Sequence, residues 1–258
     1  MGLRTVLFQL AFCASLSCGG APVWAEEFRT PWNDADVAIV LDPFHGNALD
    51  LDKVATDKRV AAIVHKASQG LGSDRKYNAR RAAAKARGYL WGSYHLLTTA
   101  DPIAQMDHYL GIVGAEPGEA HAIDIECLAA TTTCQSEAFK VSVEDVEKAI
   151  ARIKEKTGAL PLLYVNDAVR KVLSARFAGK PELAGIRLWY ARFKNDITGV
   201  FPDRHWQTYA LWQFSSEINC QAEPGACPYR VPGTNSDMDL NVFNGTVEQL
   251  RAQWPMTQ

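Results

Sequence analysis

His121-Ala122-Ile123-Asp124-Ile125-Glu126 reads as a short strand that carries two carboxylates spaced i, i+2 at its end. Side chains alternate faces along a strand, so Asp124 and Glu126 point one way while Ile123 and Ile125 pack on the other. Like charges held side by side are unfavourable, and such crowding raises one pKa until one group stays protonated while its neighbour ionises. An acid beside a carboxylate is the pairing that glycosidic bond cleavage uses. A solvated strand edge or a helix N-cap is the plain alternative for the fragment taken alone.

Working outward, short apolar runs alternate with helical stretches. Strands are expected at Asp36–Leu41, Val60–His65, Leu90–His95, Leu160–Val165, Ile186–Ala191 and Tyr209–Phe214, with helices over Leu49–Asp57, Lys76–Arg87, Asp101–Val113, Ser142–Thr157 and Ala168–Phe177. Residues 194–208 are polar and irregular, and Val247–Trp254 is amphipathic. This alternation predicts parallel βα units in an α/β fold, an irregular TIM-like (β/α) barrel forming a single domain. No linker divides it.

The strand ends share a character. Asp42, Lys66, Tyr94, Asp124 with Glu126, Tyr164, Trp189 with Tyr190, Trp212 with Gln213, and Asp239 all fall at or just past such ends. In a barrel these positions gather at the C-terminal face, making an acidic depression with aromatic walls. Flat rings stack on the CH faces of sugars while acids and amides take their hydroxyls. Taken singly, Tyr164, Trp189 and Trp212 are as well explained by packing, and Lys66 as a solvated lysine.

With 258 residues and a formal charge of −2, the chain has length for one large core and no polybasic surface for nucleic acid. Arg4, the apolar run Val6–Leu16 and the small residues before Glu26 predict a secretory signal peptide over residues 1–25, too short to span a membrane. Residues 26–258 are then the mature domain, secreted or periplasmic. In that oxidising compartment Cys127, Cys134, Cys220 and Cys227 allow three pairings, of which the local ones, Cys127–Cys134 and Cys220–Cys227, are expected. They lack C-x2-C spacing, which argues against zinc. His45, His65, His95 and His121, near strand ends but far apart in sequence, leave a metal as an alternative. Neither a metal nor a cofactor is expected, and no G-x-S-x-G, phosphate-binding glycine loop or H-E-x-x-H occurs.

The chain resembles the family 25 glycoside hydrolases, the lysozymes of the Chalaropsis or N-acetylmuramidase type. Carrying the resemblance are Asp42, Lys66-Ala-Ser-Gln-Gly70, Gly92-Ser-Tyr-His95, Asp124-Ile-Glu126, Pro161-Leu-Leu-Tyr164, Leu188-Trp-Tyr-Ala-Arg192, Leu211-Trp-Gln-Phe214 and Met238-Asp-Leu-Asn-Val-Phe243. The resemblance implies hydrolysis of the β-1,4 bond between N-acetylmuramic acid and N-acetylglucosamine in peptidoglycan. It implies Glu126 as general acid, Asp124 as partner of the substrate's N-acetyl group, and Asp42 and Asp239 as charge-stabilising neighbours. Tyr94, Tyr164, Trp189 and Trp212 would wall the subsites, with Lys66, Tyr190 and Gln213 as further substrate contacts. A monomer whose partner is the glycan strand is expected, without stable membrane insertion. The chain departs from the family at Asp42-Pro-Phe-His-Gly-Asn47, where a small residue and an aromatic-Gln-Gly stretch are usual, and at His65, where an aliphatic residue is usual. A glucosaminidase or other glycosidase, or a glycan-binding protein without catalysis, remains the alternative. Remodelling of the producer's wall from the periplasm fits the leader, and an exported antibacterial or host-directed role fits nearly as well.

Overall fold

The structure, a computed structural model, describes residues 25–131, 134–220 and 227–256. Except for Ala25, the leader read into the N-terminus lies outside the described residues. Eight strands close a barrel: β1 (Val37–Leu41), β2 (Val60–Gln69), β3 (Leu90–Leu96), β4 (Ala120–Ile125), β5 (Leu162–Asn166), β6 (Leu188–Ala191), β7 (Leu211–Ser215) and β8 (Leu240–Thr246). Around the ring β1 pairs with β2, and neighbours follow in chain order to β8, which returns to β1. Neighbouring strands from β1 through β7 run parallel, whereas β8 is antiparallel to both β7 and β1.

That reversal corrects the expectation of parallel units throughout. Asp239 sits at the start of β8, not at a strand's end, yet reaches the same mouth because β8 enters the barrel from that side. The pairing of Leu41 with Leu240 sets Asp42 beside Asp239, and the Asp42 amide donates to the Asp239 carbonyl at 3.4 Å. The βα alternation also stops early: among the described residues no helix lies between β6 and β7 or between β7 and β8.

Where helices form, their ends carry the expected chemistry. They are α1 (Leu51–Val54), α2 (Tyr77–Ala86), α3 (Pro102–Val113), α4 (Val143–Thr157), α5 (Asp167–Phe177) and α6 (Val247–Gln253). α1 is much shorter than the stretch predicted over Leu49–Asp57. Ser142 Oγ accepts from the Asp145 amide at 3.0 Å to start α4, and Gly158, at φ +78°, ends it in the left-handed conformation. Asn166 caps α5 through the Ala168 and Val169 amides, so the last residue of β5 also begins the next helix.

Period-two alternation divides the apolar residues into two cores. Ile39, Ile63, Trp91, Ile123, Leu163, Tyr190, Trp212 and Val242 face outward and pack under the helices. Ala38, Val40, Ala62, Val64, Ala120, Ala122, Leu162, Trp189, Leu211 and Phe243 fill the lumen. By strand order β6 stands across from β2 and β8 across from β4, so bulky Trp189 and Phe243 face alanines and valine. Gly92 completes the small side, since a Cβ there would lie 3.0 Å from that of Ala120. Leu250 of α6 and Met256 close the lower end. The upper end therefore holds the polar residues.

Candidate active site

The alternation that buries Ala120 and Ala122 in the lumen carries Asp124 and Glu126 upward on the same face of β4. Asp42 arrives from β1 and Asp239 from β8, so the four predicted acids share one mouth. Their surroundings differ. Asp42 is buried and doubly held: Gln213 Nε2 donates to Oδ2 at 2.7 Å and Asn241 Nδ2 to Oδ1 at 2.6 Å. Tyr164 OH in turn donates to Gln213 Oε1 at 2.8 Å, and Trp189 Nε1 to Asn241 Oδ1 at 2.5 Å. Asp124 and Asp239, in contrast, each keep a buried Oδ1 with no hydrogen-bond partner. Buried polar atoms in native proteins are nearly always paired, so two orphans at one mouth mark where a ligand's donors belong.

Electrostatics separate the acids further. Burial raises the pKa of Asp42, and the charge of Asp239 adds to that, against its two amide donors. Burial likewise raises Asp124, with Glu126 adding to the rise and the Lys66 ammonium opposing it. Asp239 is raised by burial and then by Glu217 and Glu126. Glu126 is raised by burial, with Lys66 pulling it down and Glu217 pushing it up. Of the four, Asp42 and Asp124 are buried, while Glu126 and Asp239 are half-exposed. Lys66 is half-buried among these acids, and its Nζ donates to Gln69 Oε1 at 2.7 Å.

A cleft of about 470 Å³ opens over Glu126 and Asp239 and is lined by Tyr164, Asn166, Arg192, Phe193, Gln213 and Glu217 among others. Tyr94 and Tyr164 meet the indole of Trp189 edge-on, with centroids 6.0 and 5.1 Å away, so Trp189, 1 % exposed, is a floor beneath the mouth and not a wall. Tyr190 and Trp212, predicted as substrate contacts, lie on the outer face. Tyr190 OH donates to Asp167 Oδ1 at 2.9 Å and Trp212 Nε1 to the Arg192 carbonyl at 2.7 Å, both under the helical shell. The reason is local: Trp189 and Tyr190 are consecutive, as are Trp212 and Gln213, and consecutive strand residues cannot share a face.

Asn241, Asn166 and the segment Arg192–Lys194 were not singled out from the sequence. Asn241 had a usable signal, since it follows Asp239 by two on one strand. Arg192 closes the motif Leu188-Trp-Tyr-Ala-Arg192 without having been given a role, and Phe193 and Lys194 had no signal.

His65, His95 and His121 alternate outward and are buried, which holds each near a pKa of about 4 and keeps them neutral. Among the described residues no cluster of histidine, cysteine and acid groups fits a metal. His65 instead explains a departure from the family pattern. Its Nδ1 donates to the Lys66 carbonyl at 2.7 Å, and its Nε2 accepts from Arg80 Nη1 at 3.1 Å. Arg80 also donates to the Phe44 carbonyl at 2.7 Å and the Asn47 carbonyl at 2.6 Å. The unusual histidine and the unusual Pro43–Asn47 loop are thus one unit joined by one guanidinium. Buried Asp74 adds to it, accepting from the amide of His45 at 2.8 Å and its Nδ1 at 3.0 Å.

Cys127 pairs with Cys134 and Cys220 with Cys227. Each bridge fastens a loop at the mouth: Gln135, just past the first, and Ser216–Ile218, just before the second, line the cleft.

Comparisons with known proteins agree with this architecture. The bacterial lysozyme from Streptomyces coelicolor superposes with TM-score 0.63 at 20% identity, covering 85% of this chain and 97% of that one. A muramidase from Acremonium alcalophilum gives TM-score 0.62 at 21% identity over 83% and 97%. A family 25 glycosyl hydrolase from Bacillus anthracis gives 0.62 at 16% over 85% and 94%. At these identities the likeness concerns the fold. Uncharacterized protein YegX of Escherichia coli K12 is 25% identical over 175 residues, 66% of this chain and 53% of that protein, so the chain spans about half the length of the curated relatives it matches. The model of glycosyl hydrolases family 25 matches residues 45–222, a span that includes Asp124 and Glu126 and excludes Asp42 and Asp239. With more than half of its length inside that match, the chain belongs to glycosyl hydrolases family 25.

Proposed function

We propose that the chain is a peptidoglycan muramidase, cutting the β-1,4 bond between N-acetylmuramic acid and N-acetylglucosamine, with residues 26–258 as a single catalytic domain released to the periplasm or exterior by the leader at 1–25. The observation that carries the reading is the contrast at the mouth: a half-exposed Glu126 with a raised pKa beside an Asp124 whose buried Oδ1 has no partner. Burial keeps Glu126 protonated above the ordinary carboxylate range, as a general acid requires. Asp124 Oδ1 accepts the N–H of the sugar's acetamido group and turns its carbonyl oxygen toward C1. That oxygen attacks C1 as the C1–O bond breaks and the leaving oxygen takes the Glu126 proton. Water then opens the oxazolinium, giving its proton to Glu126 and restoring the acid. Asp42, held by Gln213 and Asn241, and Asp239 stabilise the positive charge that develops on the ring. Tyr94 and Tyr164 contact the sugar, and Lys66 tempers the acids below it. The working form is a monomer whose partner is the glycan strand.

Digestion of purified peptidoglycan, followed by borohydride reduction and mass spectrometry, is expected to place muramitol at every new end. Glucosaminitol ends would make the protein a glucosaminidase, and retained binding without new ends would make it a binding module. The role of Asp124 has its own test. Peptidoglycan whose muramic acid is de-N-acetylated should be cut roughly 10²-fold more slowly, because the internal nucleophile is gone. Equal rates on both substrates would leave direct carboxylate attack or an activated water as the mechanism.

A further inference from the structure

The cleft over Glu126 does not stop at the acids. It continues along the segment after β6, where Phe193 and Lys194 also line a second, more open cavity of about 740 Å³ together with Asn195, Asn219 and Pro228. The shared residues make one groove running outward from the carboxylates. On the inner side of that junction, in the cleft over Glu126, lies Arg192, half-buried, whose guanidinium has no hydrogen bond or ion pair among the described residues. Glu126, Glu217 and Asp239 line the same cleft without pairing with Arg192, and Asp167 and Asp196 are engaged elsewhere. Asp167 is taken by Arg170 at 3.0 Å, Lys171 at 2.8 Å and the Tyr190 hydroxyl at 2.9 Å, and Asp196 by Arg29 at 3.0 Å. Lys194, exposed two residues on, likewise has no side-chain partner among the described residues.

A guanidinium that makes no hydrogen bond or ion pair within the protein is open to a ligand, and it matches a carboxylate through two parallel hydrogen bonds. The backbone keeps it in place: the Arg192 amide donates to the Gln213 carbonyl at 3.0 Å, and the Arg192 carbonyl accepts from Trp212 Nε1 at 2.7 Å and from the Lys194 amide at 3.0 Å. Arg192 is thereby tied to Gln213, the residue that also holds Asp42.

We infer that Arg192 and Lys194, with Phe193 between them in the chain, form a carboxylate-binding subsite for the anionic arm at the 3-position of muramic acid. The inference rests on the muramidase reading and deepens it by naming the substrate feature selected. A neutral chitin-like chain has no group for these cations, whereas muramic acid offers a carboxylate in two ways. On bare strands it is the lactyl carboxylate, and on peptide-bearing strands it is a carboxylate further along the stem.

The experiment compares wild type, Arg192→Ala/Lys194→Ala and Arg192→Lys on peptide-bearing strands and on strands stripped by an amidase, alongside calorimetric binding of a soluble muropeptide. Arg251→Ala, which removes one positive charge from α6 at the far end of the barrel, is the control for net charge. The double variant is expected to raise KM for peptide-bearing strands about tenfold and to weaken muropeptide binding similarly, with Arg192→Lys recovering part of both. A matching KM rise on stripped strands assigns the lactyl carboxylate, and a rise confined to peptide-bearing strands assigns the stem. Unchanged KM and unchanged binding, or an equal change in Arg251→Ala, overturns the subsite. Should wild type cut neither substrate, the muramidase reading falls while muropeptide binding still decides the subsite.

Discussion

Glu126→Gln should lower the rate of reducing-end release from peptidoglycan by roughly 10² to 10⁴-fold, the usual contribution of a positioned general acid. Glutamine keeps the shape and polarity of the side chain but has no proton to give the departing oxygen, so KM should move little while kcat falls. The pH profile supplies a second signature. A general acid works protonated, so kcat falls as pH rises through its pKa, and burial places that limb above the ordinary carboxylate range. The limb should vanish in Glu126→Gln and persist in Asp42→Asn, whose rate should fall far less because the leaving group's proton source is intact. Equal losses in the two variants, or a limb that survives in Glu126→Gln, would remove Glu126 from the role.

Trp189→Ala should produce the largest loss of stability among single substitutions at the mouth. The indole fills the lumen beneath Tyr94 and Tyr164, and no other side chain there can expand into its place because the facing residues are alanines and valine. Emptying such a site costs about 3–5 kcal/mol. It also strands Asn241 Oδ1, a buried acceptor whose loss of partner costs about 1–3 kcal/mol, partly overlapping the first figure. For a chain of this size each kcal/mol lowers Tm by about 2–4 °C, so a fall of about 10 °C or more is expected in a thermal melt. Trp189→Phe keeps most of the volume and loses the N–H, so it should melt between the two. A Trp189→Ala protein melting within about 1 °C of wild type would mean that the ring does not hold the lumen.

What the sequence disclosed, and what it hid, follow from the same alternation. Period two puts Asp124 and Glu126 on one face wherever β4 lies, so that pair needed no structure to be found. The same rule excluded Tyr190 once Trp189 faced inward, and Trp212 once Gln213 did. Family motifs that run through adjacent residues conceal this, because resemblance names all of them equally. Strand direction is a different matter. Alternation reads the same forward and backward, so nothing in Leu240–Thr246 announced that β8 returns against its neighbours. Arg192 stood inside a quoted motif, but its lack of a partner within the protein could not be read there, because ion pairs between distant segments leave no local mark.

The reversed last strand makes the chemistry depend on completed folding. Asn241 reaches Asp42 across 199 positions of chain, and Gln213 reaches it across 171. A nascent chain lacking β8 holds Glu126 but has neither Asp239 at the mouth nor Asn241 on Asp42. A slip of one residue in the β1–β8 register would turn both away together. The completed mouth therefore requires β8 docked against β1, which ties the proposed chemistry to closure of the barrel.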